Sequence, residues 1–122
     1  MRFAVLLFLP MTTWAKRSDP IIGTWNVAAS MNKSPLFIEV ITFHEGGTLA
    51  EFDTDGTNSS ASKSVNSGVW KNRRDAIYDF KAENYAYDSS GKLAQIAVPV
   101  CQLILDSNQN RLNGTGSINW YN

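Results

Sequence analysis

Two long segments joined by a short turn decide the fold: AIYDFKAENYAYD at residues 76–88, predicted as one long strand or two bent ones, and the apolar LAQIAVPVCQLILD at residues 93–106. Both are rich in β-branched and aromatic residues, and the SSGK sequence at residues 89–92 is typical of a turn. No window of the chain keeps helical periodicity over several turns. Strands of this length suit a tilted barrel, because closure leaves no exposed sheet edge.

The rest of the chain continues this pattern in both directions. Further strands are predicted at residues 23–30, 36–44, 48–53, 68–72 and 111–121. A polar tract at residues 54–67 is predicted as a surface loop. Pro99 has no N–H for a ladder, so we expect a bulge or a barrel corner there. The other connections are short, so neighbours in sequence are expected to be neighbours in space.

These elements predict an all-β chain: an antiparallel up-and-down meander closed into a small, about eight-stranded barrel. A β-sandwich is the alternative architecture.

The N-terminus has the features of a secretory signal peptide. Arg2 supplies one positive charge, FAVLLFLPM at residues 3–11 is an apolar run, and TWA at residues 13–15 ends in a small residue. The run is too short to cross a bilayer, which takes roughly 20 apolar residues. We therefore predict residues 1–15 as a signal peptide and residues 16–122 as a secreted or periplasmic barrel domain, with no integral membrane segment after cleavage. The alternative, a retained apolar strand or helix, is disfavoured by Pro10.

The charge balance and the cysteine content exclude one class of partner and one kind of cross-link. The chain has 11 Lys and Arg against 11 Asp and Glu, so no electrostatic attraction to nucleic acid is expected and no nucleic-acid partner is predicted. Cys101 is the only cysteine, which excludes an intramolecular disulfide. Its apolar surroundings predict a buried, inert thiol.

Four motifs carry a resemblance to a known family: GTW at residues 23–25, TFHEGGTL at 42–49, GVW at 68–70 and YAYDSSGKL at 85–93. In this order they resemble the calycin superfamily, and most of all its small lipocalin-like barrel proteins.

The resemblance implies structural roles for three residues. Trp25 would pack across the closed end of the barrel, and Gly23 would let the first strand bend inward. Arg111, from the last strand, would stack on the indole of Trp25. The chain is shorter than a full lipocalin and has no second motif of the Thr-Asp-Tyr kind, so an interior filled by side chains remains an alternative.

Alternation predicts which side chains face the interior. In residues 76–88 the face with Tyr78, Phe80 and Asn84 carries fewer charges than the opposite face and is predicted to point inward. In residues 36–44 both faces are apolar, so alternation does not determine which face points inward. It does place Glu39 on the same face of the strand as Phe43. Aromatic residues with a few polar groups are typical of small-molecule sites. The predicted ligand-binding residues are Trp70, Tyr78, Phe80, Asn84, Glu39 and Phe43. The alternative is that these are ordinary core residues, and that Glu39 lies on a partly solvated outer face.

The predicted function is the binding of a small apolar molecule inside the barrel. One alternative is a calycin-like cyclase or isomerase that uses Glu39, Tyr78 or Asn84. Another is a structural or interaction barrel without a ligand. His44 is the only histidine and is predicted at a solvated rim, so no metal site and no cofactor are predicted.

Overall fold

The computed structural model describes residues 2–10, 19–31, 37–53, 62–63 and 65–122. Within these ranges the chain forms nine β-strands and no helix. The strands are β1 (Arg2–Pro10), β2 (Gly23–Met31), β3 (Phe37–Phe43), β4 (Thr48–Asp53), β5 (Ser62–Lys63), β6 (Asn66–Arg74), β7 (Ile77–Tyr87), β8 (Leu93–Leu105) and β9 (Arg111–Tyr121).

Seven of these strands form one curled antiparallel meander. Strands β2, β3, β4, β6, β7, β8 and β9 each pair with the next, in chain order. The two-residue β5 pairs with the far end of β7, beyond β6. This confirms the predicted all-β, antiparallel meander.

The hairpin between β3 and β4 follows from its two glycines. Gly46 and Gly47 both have φ of 90°, a conformation that costs glycine little. The N–H of His44 donates to the carbonyl of Thr48 (2.8 Å) and closes the turn. The carbonyl of Gly47 accepts from the N–H of Trp70 (2.8 Å). The turn thereby ties β6 to the β3–β4 hairpin.

Pro99 interrupts the β7–β8 ladder differently from our expectation. Paired positions run from Ile77 with Ile104 to Lys81 with Val100, and resume at Asn84 with Ala97. The register is the same on both sides of the interruption, so Pro99 leaves a gap without a bulge. The register shift of this pair lies farther along, between residues 86 and 87.

The segment predicted as a polar surface loop is shorter than expected. Strand β5 lies within it, and β6 already begins at Asn66. The remaining part of that loop, residues 54–61 and 64, lies outside the described residues.

Strand β1 comes from the segment predicted as a leader. It pairs antiparallel with β2 and also with β9, so β2 and β9 run parallel to each other on its two sides. The predicted cleavage site at Ala15 lies outside the described residues. Cleavage there would remove β1 from the sheet.

The concave face of the meander carries the core. Trp25, Ile41, Phe43, Leu103 and Leu112 are each no more than 1% exposed. Four polar side chains are buried among the described residues as well: Glu39, Glu51, Asn66 and Asn84. In the part of the chain that the structure describes, no helix is long and apolar enough to cross a membrane.

Candidate functional site

Four aromatic residues from three strands meet on the concave face and are called the aromatic cluster here: Phe43 of β3, Trp70 of β6, and Tyr78 and Phe80 of β7. The ring of Phe43 lies 6.1 Å from Trp70 and 6.3 Å from Phe80, both edge to face. Trp70 lies 6.0 Å from Tyr78. These separations are in the range of favourable aromatic pairs. Four of the six predicted ligand-binding residues are therefore in one place.

Trp70 is held at the margin of this cluster. It is half-buried, and its indole N–H donates to the carbonyl of His44 (2.9 Å). The side chain of His44 is exposed, as predicted for a rim residue. The hydrogen bond fixes the indole next to the β3–β4 turn.

The segment before β2 covers the same end of the concave face. The Tyr78 hydroxyl donates to Oδ1 of Asp19 (2.7 Å), and the Trp25 indole N–H donates to the carbonyl of Ile21 (2.8 Å). Burial and the nearby Asp19 carboxylate raise the pKa of Tyr78 well above its ordinary value. At neutral pH Tyr78 is therefore a hydrogen-bond donor and not a base.

The residues predicted to close the barrel fall in different environments. Trp25 is fully buried, and Gly23 has φ of 134°, which favours glycine. Arg111 is exposed, whereas its neighbour Leu112 is the buried residue of β9 at this level. The stacking of Arg111 on Trp25 stays a prediction.

The buried polar residues form a second feature, called the polar band here: Glu39, Glu51, Asn66 and Asn84. Glu51 of β4 pairs with Ile41 of β3 on one side and with Asn66 of β6 on the other. Glu39 shares the face of Ile41, two residues away. The exposed fractions of the four side chains are 3–8%. Two predicted site residues, Glu39 and Asn84, thus belong to this band.

The polar band and the aromatic cluster occupy the same face at different levels. On β3 the buried residues alternate from Glu39 through Ile41 to Phe43, and on β7 from Phe80 through Ala82 to Asn84. Gly23 pairs with Phe43, and Val27 pairs with Glu39. The cluster therefore lies toward the start of β2, near Trp25, and the band lies farther along β2.

Cys101 lies on the same buried face, beside Phe80 in the β7–β8 pair. Its thiol is buried on β8, and its pKa is raised first by burial and then by the charges of Glu51 and Glu39. A thiol in this environment is a poor nucleophile, in agreement with the inert thiol expected from the sequence.

Two acceptor atoms in the polar band are buried without a hydrogen bond: Oδ1 of Asn66 and Oε2 of Glu51. Glu51 takes part in other interactions, so the statement concerns this one oxygen. Most buried polar atoms in folded proteins have a hydrogen-bond partner. Oδ1 of Asn66 is suited to accept a hydrogen bond from a bound molecule.

The arrangement does not resemble a metal centre. Among the residues with described positions, no group of three or more His, Cys, Asp or Glu side chains is placed to hold a metal ion.

A groove bordered by β6, β7 and β8 is a second candidate. Its volume is about 420 Å³, and Val69, Lys71, Lys81 and Val100 are among its lining residues. Arg73 spans it with two hydrogen bonds to Asp79 (2.7 and 2.8 Å). An exposed ion pair of this kind adds little stability. Trp70 and Phe80 of the aromatic cluster are also among the residues that line this groove.

Sequence reasoning missed Glu51 and Asn66 as buried polar residues. In β4 (Thr48–Asp53) the alternate residues Ala50 and Phe52 are as apolar as Leu49, so alternation alone did not mark the face of Glu51 as buried. Asn66 lay in the segment taken for a loop. Phe52 is in fact 62% exposed, while Glu51 is buried.

Comparison with known proteins gives no relatives: no family model, no curated protein and no solved structure matches the chain.

Proposed function

We propose that this protein is a lipocalin-like β-barrel that binds a small apolar molecule against its concave face. The observation that carries the proposal is the position of the aromatic cluster and the polar band on one buried face. Binding sites for small molecules are commonly apolar and aromatic, with a few polar groups that orient the ligand.

Closure into an eight-stranded barrel is part of this proposal. The pairing of β1 with both β2 and β9 supports it, as does the continuous pairing from β2 to β9. A fully antiparallel ring needs an even number of strands, because directions must alternate around it. Since β2 and β9 run parallel, one more antiparallel strand is needed between them.

Membership in the calycin superfamily is likewise a proposal. The four sequence motifs support it, together with the complete burial of Trp25 and the positive φ of Gly23. The exposed Arg111 does not add support.

A second proposal is that the protein is exported and that residues 1–15 are cleaved. This proposal is incompatible with closure of the barrel through β1. Residues 2–10 are either a removed leader or a strand of the barrel in any one molecule. N-terminal sequencing of the protein recovered outside the cytoplasm distinguishes the two, since a mature chain would begin at Lys16.

The binding proposal is tested with decanol as an apolar probe and native mass spectrometry or calorimetry as the readout. Ala82 is 1% exposed and lies between Phe80 and Asn84 on the buried face of β7. Ala82→Leu is expected to fill part of the concave face and to weaken decanol binding by about tenfold or more. Ala94→Leu, at an exposed position of β8, is the matched control.

Circular dichroism establishes that both variants are folded. If folded Ala82→Leu binds decanol as well as the unchanged protein does, the probe does not occupy the concave face. If the unchanged protein binds no apolar probe, the ligand-free structural barrel is the better description.

Catalysis on a bound apolar substrate, as a cyclase or isomerase, is the second candidate function. The observation in its favour is the burial of Glu39 on the face of Phe43. Burial disfavours the charged form of a carboxylate and so suits it to proton transfer. Glu39→Gln is expected to abolish turnover while preserving ligand binding; turnover that survives this change removes Glu39 from the mechanism.

A further inference from the structure

We propose that the ligand carries a protonated amine, which binds at the facing side chains of Glu51 and Asn66 while the apolar body extends toward the aromatic cluster. This inference rests on the proposed function and specifies the class of molecule that the concave face accepts.

The first step is the geometry of the two side chains. Glu51 and Asn66 are direct partners in the β4–β6 ladder, and both are buried, with 3% and 6% exposed. The Cβ atoms of such opposite residues lie about 5 Å apart. Both side chains can therefore contact the same small group.

The second step is the hydrogen-bonding capacity of Asn66. Its Oδ1 atom is buried and accepts no hydrogen bond, a state that costs free energy relative to a satisfied acceptor. A ligand that presents an N–H or O–H group there would remove this cost. A ligand with only acceptor atoms would not.

The third step is the sign of the charge. Glu51 and Glu39 are buried carboxylates in the same band, and a cation placed beside Glu51 favours the ionised form that burial alone disfavours. Such a region favours a cation over a neutral group and disfavours an anion. An ammonium group is a compact cation with three donors, so it meets both the charge and the hydrogen-bonding requirement.

The fourth step is the distance to the apolar part of the site. Asn66 and Trp70 lie on the same face of β6, with Gly68 between them. At about 3.3 Å per residue, the four-residue separation corresponds to about 13 Å. A ligand with an extended apolar chain of this length would reach from the polar band to the aromatic cluster. Its amine would then lie at the end of the site that is farther from Trp25.

The experiment compares three probes that differ only in the head group: decylamine, decanol and decanoic acid. Calorimetry at pH 7 on the full chain is expected to show decylamine binding about tenfold tighter than decanol, and decanoic acid weakest. Glu51→Gln and Asn66→Leu should each reduce the preference for decylamine over decanol about fivefold or more, with decanol binding unchanged.

One further variant replaces Asn66→Leu if that variant does not fold, and a second variant is a charge control. Asn66→Asp adds a second carboxylate opposite Glu51 and should increase the preference for decylamine. Glu83→Gln removes a carboxylate at an exposed position of β7 and should leave the preference unchanged, which controls for long-range charge effects.

The outcomes separate this inference from the proposed function. Equal affinity for decylamine and decanol, or an amine preference that Glu83→Gln removes as effectively as Glu51→Gln, overturns the amine site and leaves apolar binding intact. If none of the three probes binds, both proposals fail.

Discussion

The hydroxyl of Tyr78 donates a 2.7 Å hydrogen bond to Oδ1 of Asp19, which joins β7 to the segment that leads into β2. The same Oδ1 atom accepts from the backbone N–H of Ile21 (3.2 Å), whose carbonyl in turn accepts from Trp25. This chain of hydrogen bonds covers the aromatic end of the concave face.

Removing the hydroxyl of Tyr78 should therefore destabilise the fold. A hydrogen bond to a charged acceptor contributes about 1.5–3 kcal/mol, so Tyr78→Phe is expected to lower the free energy of unfolding by about 2 kcal/mol. Urea unfolding followed by tryptophan fluorescence measures it. Tyr121→Phe, at an exposed position, is the control, and equal midpoints for the two variants would contradict the prediction.

The raised pKa of Tyr78 predicts a loss of stability at alkaline pH. Above the unfolded-state pKa of about 10, the unfolded chain releases this proton while the folded chain retains it. The unfolded state then binds fewer protons, so the free energy of unfolding falls as pH rises. The contribution is fully present below pH 10 and is lost progressively above it.

Unfolding at a series of pH values from 8 to 11 tests this sign. Tyr78→Phe should show a shallower decline than the unchanged protein above pH 10. A parallel decline in both proteins would show that Tyr78 keeps an ordinary pKa in the folded state.

Cys101 should be protected from thiol reagents in the folded protein. Burial and the charges of Glu51 and Glu39 raise its pKa, so both access and the thiolate fraction are low. Labelling with a disulfide reagent at pH 8 should be slow, and fast in concentrated urea. Glu51→Gln reduces the negative potential and should accelerate labelling modestly if the variant remains folded. Rapid labelling of the unchanged folded protein would place the thiol outside the core.

Gly116 should not tolerate a larger residue, because β9 crosses close to β8 there. A Cβ atom at position 116 would lie 2.5 Å from both Sγ of Cys101 and the carbonyl oxygen of Val100. Gly116→Ala is expected to cost about 1–3 kcal/mol of stability, measured by thermal unfolding. Thr115→Ala, at the exposed neighbouring position, should be close to neutral. Adding Cys101→Ala should not restore stability fully, because the backbone oxygen remains in the way.

Removal of residues 1–15 should change the hydrogen exchange of the strands that pair with β1. Strand β1 pairs with both β2 and β9, so a chain that begins at Lys16 leaves one edge of each strand without its antiparallel partner. Amide hydrogen exchange in β2 and β9 should be faster in that chain than in the full-length one, with β7 as the internal control. Equal exchange in both chains would show that β1 contributes nothing to these edges.

Much of the fold could be predicted because its signals are local. The long apolar segments around the turn at residues 89–92 became β7 and β8, and the two glycines after Glu45 became a tight hairpin. The buried side of β7 was predictable as well, since its other side carries Asp79, Lys81 and Glu83. Short connections then made an antiparallel meander the simplest arrangement.

The candidate site was less predictable because it depends on register between strands. In β3 and β4 both faces are apolar, so the sequence did not determine that Glu39 and Glu51 point inward. The polar segment at residues 54–67 separates Glu51 from β6 and includes Asn66, and its composition indicates a loop. The pairing of Glu51 with Asn66 was therefore not predictable.

The sequence by itself determined the strand class, the order of the strands and the inward face of β7, because alternation and turn residues act over a few neighbours. Only the tertiary structure decided which polar groups share the concave face, that Tyr78 contacts Asp19, and that β1 lies between two parallel strands. Those relationships arise when segments far apart in the chain come together, and their cost or benefit is set by burial that no single segment encodes.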